Sequence, residues 1–498
     1  MFSWDLLISS AIEALRWQSL LASFVGVVLG LCVGAMPGLT ISLGMILMLP
    51  FTFYLKPVTA ISLLLGLYAA GMTGGSISAI LLNMPGTPSA SATMLDGYPM
   101  TQRGEAGKAM GIAVIASFCG GMFSLVCLVL FAPLIAKVAL QFGSPELFSL
   151  VLMGLTLICT FAQDSLVKGL ISGTLGLIFM TVGLDPMMGT PRFTFGVVEL
   201  QAGVLFLAAM IGLFALSQVL EEMQDIRRST LPHFKAKLAG FLPRPAEIKR
   251  CAKAIFLGAG VGTGIGAIPG AGGPIAVFLA YDYVRRLSSE PERFGRGAPE
   301  GVAAPEAANN GVSGGALIPM LTLGIPGDPI TAVLLGALLI QGLIPGPMLM
   351  AENPGFVYSL FVAFLVANLI NLVVALSGIR FIVQVLRIPK TFLLPFITTL
   401  CILGSYAIRN SLFDSFVMIF FGVLGYLMRR SGFPVVPMLL AMVLGPTIEQ
   451  HLRLSLIIAR GDPSTFVTHP ISAAFLVLAL LSLTAPLWGR FRVTRRGR

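Results

Sequence analysis

The chain has 498 residues, of which 56% are hydrophobic and 11% charged, with a mean hydropathy of +0.92. Soluble proteins carry roughly a quarter of their residues as charge, so the composition excludes an ordinary soluble enzyme or binding module and indicates an all-α polytopic membrane protein. The net charge of +10 does not point to nucleic acid, because no stretch interleaves basic and aromatic residues as a nucleic-acid surface does.

The opening residues MFSWDLLISS lack a basic leader, so a cleaved signal peptide is not expected. They suit an interfacial helix leading to Arg16. Residues 17–55 form an uncharged run of 39, too long for one straight span of about 20 residues. Gly26, Gly30 and Gly34 recur every fourth residue before a break at Met36-Pro37-Gly38, followed by Thr40 and Ser42. Spacing of four puts small residues on one helix face, where a second backbone can approach. The pattern predicts a short helix, a turn and a second short helix.

A second uncharged run of 39, residues 57–95, holds the pair Gly74-Gly75 and hydroxyls at Thr73, Ser76 and Ser78. It continues through Asn83 to the break Pro85-Gly86-Thr87-Pro88. Two prolines in four residues remove donors and stop a helix. Broken backbone at membrane depth is tolerated only where protein or a water-filled cavity surrounds it, so this stretch reads as a site. Asp96-Gly97-Tyr98-Pro99 ends it, and the polar turn TQRGEAGK that follows lacks the phosphate-loop pattern. Residues 109–136 read as a plain span. Residues 145–220 read as three ordinary spans, with Asp164, Lys168 and Asp185 at their ends. Between Glu221 and Lys253 lie eight Lys/Arg against four acids, and the tail from Arg490 holds five arginines. Positive charge collects in cytoplasmic loops, so both segments are expected in the cytoplasm.

The second half repeats the first. Gly258, Gly262, Gly266, Pro269 and Gly270 stand 232 residues after Gly26, Gly30, Gly34, Pro37 and Gly38. Gly314-Gly315 then precede Pro326-Gly327-Asp328-Pro329 much as Gly74-Gly75 precede the first break. Between these blocks the second half adds a polar connection from Arg285 through Ala298 to Asn310. The expected division is a first transmembrane repeat over 1–220, a basic cytoplasmic linker over 221–253, a second repeat over 254–462, and a last span with a basic cytoplasmic tail over 463–498. About 10–14 crossings are expected at about 20 residues each. The repeats, each with broken or re-entrant helices at its Pro-Gly motifs, are expected to be inverted, with an odd number of crossings separating them. In the remaining plain spans one polar junction stands out, where Glu449 and Arg453 are four apart and would be neighbours on a helix.

The blocks PGLT (37–40), GGSISAILLNMPGTP (74–88), DGYPM (96–100), IGAIPGAGG (265–273), APEGVAAPEAANN (298–310), GGALIPMLTLGIPGDP (314–329) and LGPTIEQHLRLSL (444–456) together resemble the large membrane subunit of the tripartite tricarboxylate transporters, the TctA type. The resemblance implies ion-coupled uptake of a carboxylate across a bacterial inner membrane. It also implies two partners, a small four-span membrane subunit and a periplasmic solute-binding protein. Asp328 departs from the smaller uncharged residue expected there in many relatives, which bears on cation or proton coupling.

Paired interrupted segments in two halves point to a secondary transporter's binding site, where half-helix N-termini face anionic groups and exposed carbonyls take the cation. The residues expected to bind substrate are Gly38, Thr40, Gly74, Gly75, Ser76, Asn83, Gly86 and Thr87 from the first half. From the second they are Gly270, Gly272, Asn310, Ser313, Gly314, Gly315, Thr322 and Gly327. Substrate is expected where the two PGxP turns approach each other. Glu306 and Asp328 are the ion-coupling candidates, since ionisable groups at membrane depth mark ion paths, with helix capping the alternative for Asp328. The coupling ion is Na⁺ or H⁺, with no cofactor and no metal site expected. The six cysteines show no CxxC, and His233, His451 and His469 have no second ligand at metal spacing. No HExxH or GxSxG occurs, so an enzyme is not expected. An anion channel with a broken-helix selectivity site is the rival reading. Substrate identity and oligomeric state, a homodimer included, stay open at this level.

Overall fold

A computed structural model describes residues 4–161, 165–224, 243–385 and 388–496. Asp164, His233, residues 225–242 of the linker and the last two residues of the tail lie outside the described residues. The elements in order are α1 (Trp4–Ala14), α2 (Trp17–Ala35), α3 (Ile41–Thr52), α4 (Pro57–Leu82), a 3₁₀ turn at Pro88–Ala90, α5 (Ser91–Gln102), α6 (Ala106–Ala139), α7 (Ser144–Phe161), α8 (Leu166–Met180) and α9 (Phe206–Met210). A π turn at Ile211–Leu216 leads into α10 (Ser217–Gln224). There follow α11 (Pro245–Gly266), α12 (Gly272–Arg286), α13 (Pro299–Leu323), α14 (Pro329–Ile340), α15 (Pro347–Glu352), α16 (Pro354–Val385), α17 (Lys390–Ala407), α18 (Leu412–Arg430), α19 (Val435–Ile458), α20 (Thr465–Thr468) and α21 (Pro470–Arg496). The only sheet among the described residues pairs β1 (Gly183–Leu184) with β2 (Pro191–Arg192). The protein is an all-α polytopic membrane protein. Eight helices among the described residues are long and apolar enough to cross a membrane, and five more apolar helices are shorter.

The chain forms two compact units interleaved in sequence, one from Met1–Ala136 with Glu222–Ile397 and one from Lys137–Glu221 with Thr398–Arg498. In the first unit the glycine pattern of α2 has a direct cause. A Cβ at Gly26, Gly30 or Gly34 would lie 2.0, 2.4 or 2.2 Å from the carbonyl oxygen of Leu63, Leu67 or Gly71 on α4. The contacts follow the same order along both helices, so α2 and α4 run parallel and α3 brings the chain back between them. The second half repeats this packing: a Cβ at Gly258 or Gly262 on α11 would lie 2.3 or 2.1 Å from the carbonyl oxygen of Ala304 or Ala308 on α13, and one at Gly266 would lie 2.7 Å from that of Val312. The partner residues in α4 and α13 differ by 241 where those in α2 and α11 differ by 232. The connection before α13 is therefore nine residues longer (241 − 232).

This register corrects one alignment. Gly74 lies against the Leu31 carbonyl and Gly315 against that of Thr263, while Gly86 lies against the Gly34 carbonyl and Gly327 against that of Gly266. In space Gly74 therefore corresponds to Gly315 rather than Gly314, which restores equal spacing to the two breaks. The stretch from Ala298 to Asn310, expected as a polar connection, is instead largely the first half of α13. Pro299 opens that helix at a position that needs no donor, and its small residues let neighbours approach on all sides.

The two copies interlock. Helix α3 packs on α14, and α12 packs on the 3₁₀ turn and α5. Along α4, Tyr68 reaches Asp328, which lies beyond the C-terminus of α13, while Glu306 towards the N-terminus of α13 reaches Thr93, beyond the C-terminus of α4.

In the second unit, residues 145–220 hold three apolar helical runs, α7, α8 and the run from α9 through the π turn into α10. The segment between α8 and α9 carries the β1–β2 hairpin, and Asp185 there accepts from Met187 and Met188 N–H at 2.8 and 3.1 Å. Arg453 donates two bonds to Asp185 at 2.9 Å each, and Arg192 donates to Glu449 at 2.7 and 3.4 Å. Those bonds hold the Asp185 carboxyl well below the usual carboxylate range, the Arg453 guanidinium first and the Met187 amide next. Glu449 and Arg453 are neighbours on α19, 3.0 Å apart. His469 pairs with Glu146 at 2.8 Å.

Candidate functional site

The first unit places four polar centres at the crossing of its two copies. Asp328 caps α14: its Oδ1 accepts from Thr331 N–H at 2.7 Å, while its Oδ2 accepts from the Tyr68 hydroxyl at 2.6 Å. Both capping and a cross-repeat contact therefore occupy the same carboxyl. Glu306, fully buried, accepts from Thr93 Oγ1 at 2.6 Å and Ser117 Oγ at 3.0 Å. Asp96 accepts backbone N–H from Gly295, Gly297 and Ala298 at 2.9, 2.7 and 2.7 Å, together with the Tyr281 hydroxyl at 2.8 Å. It fastens α5 to the turn that starts α13.

The fourth centre is a set of amides. Asn371 Nδ2 donates to Thr73 Oγ1 at 2.9 Å, and the Thr73 hydroxyl is shared between two acceptors, the Ala69 carbonyl at 3.4 Å and Asn310 Oδ1 at 3.5 Å. Asn309 Nδ2 donates to the Met72 carbonyl at 3.0 Å. Asn309 Oδ1, Asn310 Nδ2, Asn368 Oδ1 and Asn371 Oδ1 are buried and have no protein hydrogen-bond partner. An unsatisfied buried polar atom costs about 1–3 kcal/mol, and buried polar groups elsewhere in proteins are nearly always paired. Several such atoms in one region mark it as a place for a polar or charged guest.

The structure sorts the candidates read from sequence. Gly38 (φ +90°) and Thr40 form the tip of the α2–α3 hairpin, where Thr40 accepts from Leu43 N–H at 3.2 Å and Gly38 lies against the Glu222 carboxylate. Gly75 faces the Thr87 hydroxyl, and Thr87 lies 3.3 Å from Ser89 Oγ. Gly74, Gly86, Gly315 and Gly327 accept close backbone approach, and Gly314 faces Ser124 of α6. Gly270 (φ +79°) donates its N–H to the Gly327 carbonyl at 3.0 Å, joining the two breaks of the second copy. Gly272 (φ +66°) begins α12, and a Cβ on the next residue, Gly273, would lie 2.8 Å from Ser89 Cβ and 3.6 Å from Asn309 Oδ1.

Other candidates are spent locally. Ser76, Ser313 and Thr322 donate to carbonyls of their own helices, Thr73, Asn310 and Ile318 in turn, at 2.7, 2.5 and 2.7 Å. Asn83 is exposed and ends α4 in the left-handed conformation, φ 57°. Of the polar candidates, Asn310 alone joins the amide set. Sequence reasoning passed over Tyr68, Thr73, Asn309, Asn368 and Asn371 as binding groups. Asn368 and Asn371 carried a usable signal, two amides in an otherwise apolar span, which is costly unless it serves packing or function.

Residues 20–440 match the family described as "Tripartite tricarboxylate transporter TctA family". The chain is similar to an Agrobacterium vitis protein described as "Uncharacterized 52.8 kDa protein in TAR-I ttuC' 3'region", with 38% identity over 472 residues, 95% of this chain and 94% of that one. It is also similar to the "Uncharacterized protein in TAR-II ttuC' 3'region" of the same organism, with 40% identity over 234 residues, 47% of this chain and 97% of that one. No solved structure matches. With the match running through both copies of the broken-helix core, the chain belongs to the tripartite tricarboxylate transporter TctA family.

Proposed function

We propose that the chain is the large membrane subunit of a binding-protein-dependent tripartite system that imports citrate-like tricarboxylates or related carboxylates. Transport is ion-coupled, driven by Na⁺ or H⁺, and proceeds by alternating access across the bacterial inner membrane. Its partners are a small four-span membrane subunit and a periplasmic solute-binding protein. The observation that carries this reading is the twice-built core, in which two broken copies interlock around buried amides that each keep one polar atom without a protein partner. A secondary transporter holds its substrate at such a repeat interface.

The opposed ordering of the contacts from Tyr68 to Asp328 and from Glu306 to Thr93 supports inverted copies, and the basic charge of the linker and tail supports a cytoplasmic place for both. Cysteine labelling of single variants at Tyr54 and Arg285, which sit at matched places after α3 and in α12, is then expected from opposite faces of the membrane. Labelling of both from one face overturns the inversion.

The transport reading is tested by carboxylate uptake in proteoliposomes containing the partner subunits, under separate sodium and proton gradients. Saturable uptake accelerated by one gradient is expected. If neither accelerates entry the reading fails, and conductance persisting without bound carboxylate replaces it with a channel.

A further inference from the structure

The carboxyls are the obvious seats for a coupling ion in this fold, yet both are engaged by neighbours. Asp328 accepts from Tyr68 and Thr331, and Glu306 from Thr93 and Ser117. The amide set is different. Asn368 Nδ2 donates to the Phe364 carbonyl at 2.8 Å, one turn back on α16. That bond fixes the amide with its carbonyl oxygen as the free end. Asn371 lies three residues further on, on the same face of the helix, and it is tied through Nδ2 to Thr73 with its own oxygen free. Two side-chain carbonyl oxygens thus share one helix face in mid-span, both without donors. Across Thr73, Asn310 Nδ2 is a donor without an acceptor. The assignment follows the orientation in which Asn371 Nδ2 donates to the Thr73 hydroxyl, which itself lies within reach of both the Ala69 carbonyl and Asn310 Oδ1, at 3.4 and 3.5 Å.

We propose that Asn368 and Asn371 supply carbonyl ligands to a sodium-sized monovalent cation beside Thr73, while Asn310 Nδ2 on the other side of Thr73 donates to a substrate carboxylate. Neutral oxygens suit a monovalent ion, since calcium and magnesium draw carboxylates into their shells, and no group of three or more His, Cys, Asp or Glu among the described residues could hold a metal. Placed on either side of one hydroxyl, cation and carboxylate attract each other, and each raises the other's affinity by the same factor. Binding coupling then follows from adjacency. This assignment rests on the transport reading above and moves its coupling ion from the buried acids to the amides.

The test uses the full chain in nanodiscs, titrated with sodium at constant ionic strength against choline, with ²²Na⁺ binding and thermal unfolding as readouts. Asn371→Ala and Asn368→Ala are expected to raise the half-saturating sodium about tenfold or more while unfolding in choline stays as in the wild type. Asn371→Asp, which keeps an oxygen at the site, is expected to retain the sodium response and guards against a misfolded alanine variant. Asp328→Asn and Glu306→Gln are expected to keep it too. The proposal is overturned if the wild type shows no sodium response, if the asparagine variants bind as the wild type does, or if the acid variants abolish binding. Gradient-driven uptake with unaffected asparagine variants defeats this assignment alone, whereas sodium binding without gradient-driven uptake defeats the transport reading.

Discussion

The two copies in the first unit share a frame and differ in chemistry. Gly26, Gly30 and Gly34 pack on α4 as Gly258, Gly262 and Gly266 pack on α13, and Gly86 and Gly327 return to the tips of their own hairpins. At the 241-residue offset that aligns α4 with α13, however, Thr87 corresponds to Asp328 and Tyr68 to Asn309. One cross-repeat contact is therefore a tyrosine on a capping carboxyl, whereas at the matching positions Asn309 donates to the Met72 carbonyl and Thr87 lies beside Ser89. Close backbone approach tolerates no side chain and so keeps its glycines. The polar groups at the crossing have no such steric limit, and there the copies have diverged.

This comparison can be broken most sharply at the glycines. Gly30→Leu and Gly262→Leu are each expected to abolish folded protein, because a first side-chain atom already lies 2.4 or 2.1 Å from a backbone oxygen. Size-exclusion chromatography of fluorescent fusions reads the outcome, and normal folding of either variant would show that the copies are not equivalent there. Asp96→Ala comes next. The buried N–H groups of Gly297 and Ala298 and the Tyr281 hydroxyl lose their acceptor, and at about 1–3 kcal/mol for each unsatisfied group a loss of about 3 kcal/mol or more is expected in thermal unfolding. Its counterpart by offset, Ala337 on α14, has no carboxyl to play this part, so this fastening belongs to one copy.

A smaller effect is expected from Tyr68→Phe, which removes the hydroxyl from Asp328 and leaves the ring in place. The loss is about 1–3 kcal/mol, measured by the same unfolding assay, and Asp328→Asn combined with it is expected to be less than additive because the two share one bond. Full additivity would show that the bond does not couple the copies. The smallest change is Thr40→Ala at the N-cap of α3, about 1 kcal/mol. By offset the matching residue in the second copy is Gly272, the first residue of α12, a helix whose N-cap, Ala271, makes no side-chain cap, so Gly272→Ser tests whether a hydroxyl there stabilises that end. Since Gly272 has φ +66°, strain there is expected to cancel the gain.

Much of the frame was legible in the chain. Glycine every fourth residue followed by Pro-Gly has few physical meanings in an apolar run, and its recurrence 232 residues later disclosed the duplication. The register of Gly314 and Gly315 was not legible, because a glycine pair matches equally well in two alignments and only the carbonyls facing each one distinguish them. The span that begins at Pro299 was misread as a connection since Glu300, Glu306, Asn309 and Asn310 look solvated until their partners are known. The Asp185–Arg453 bonds join residues 268 apart, a pairing that no local pattern encodes.

What the sequence by itself determined is the class, the two copies and the breaks, because composition, proline and glycine act locally on whether a helix forms and continues. Which polar residues act together was decided only by the tertiary structure. Asn310 and Asn371 lie 237 and 298 residues from Thr73, and a hydrogen bond depends on a few ångströms in space. Ser76, Ser313 and Thr73 all reach a carbonyl of their own helix, and what sets Thr73 apart is that its hydroxyl also meets Asn310 and Asn371.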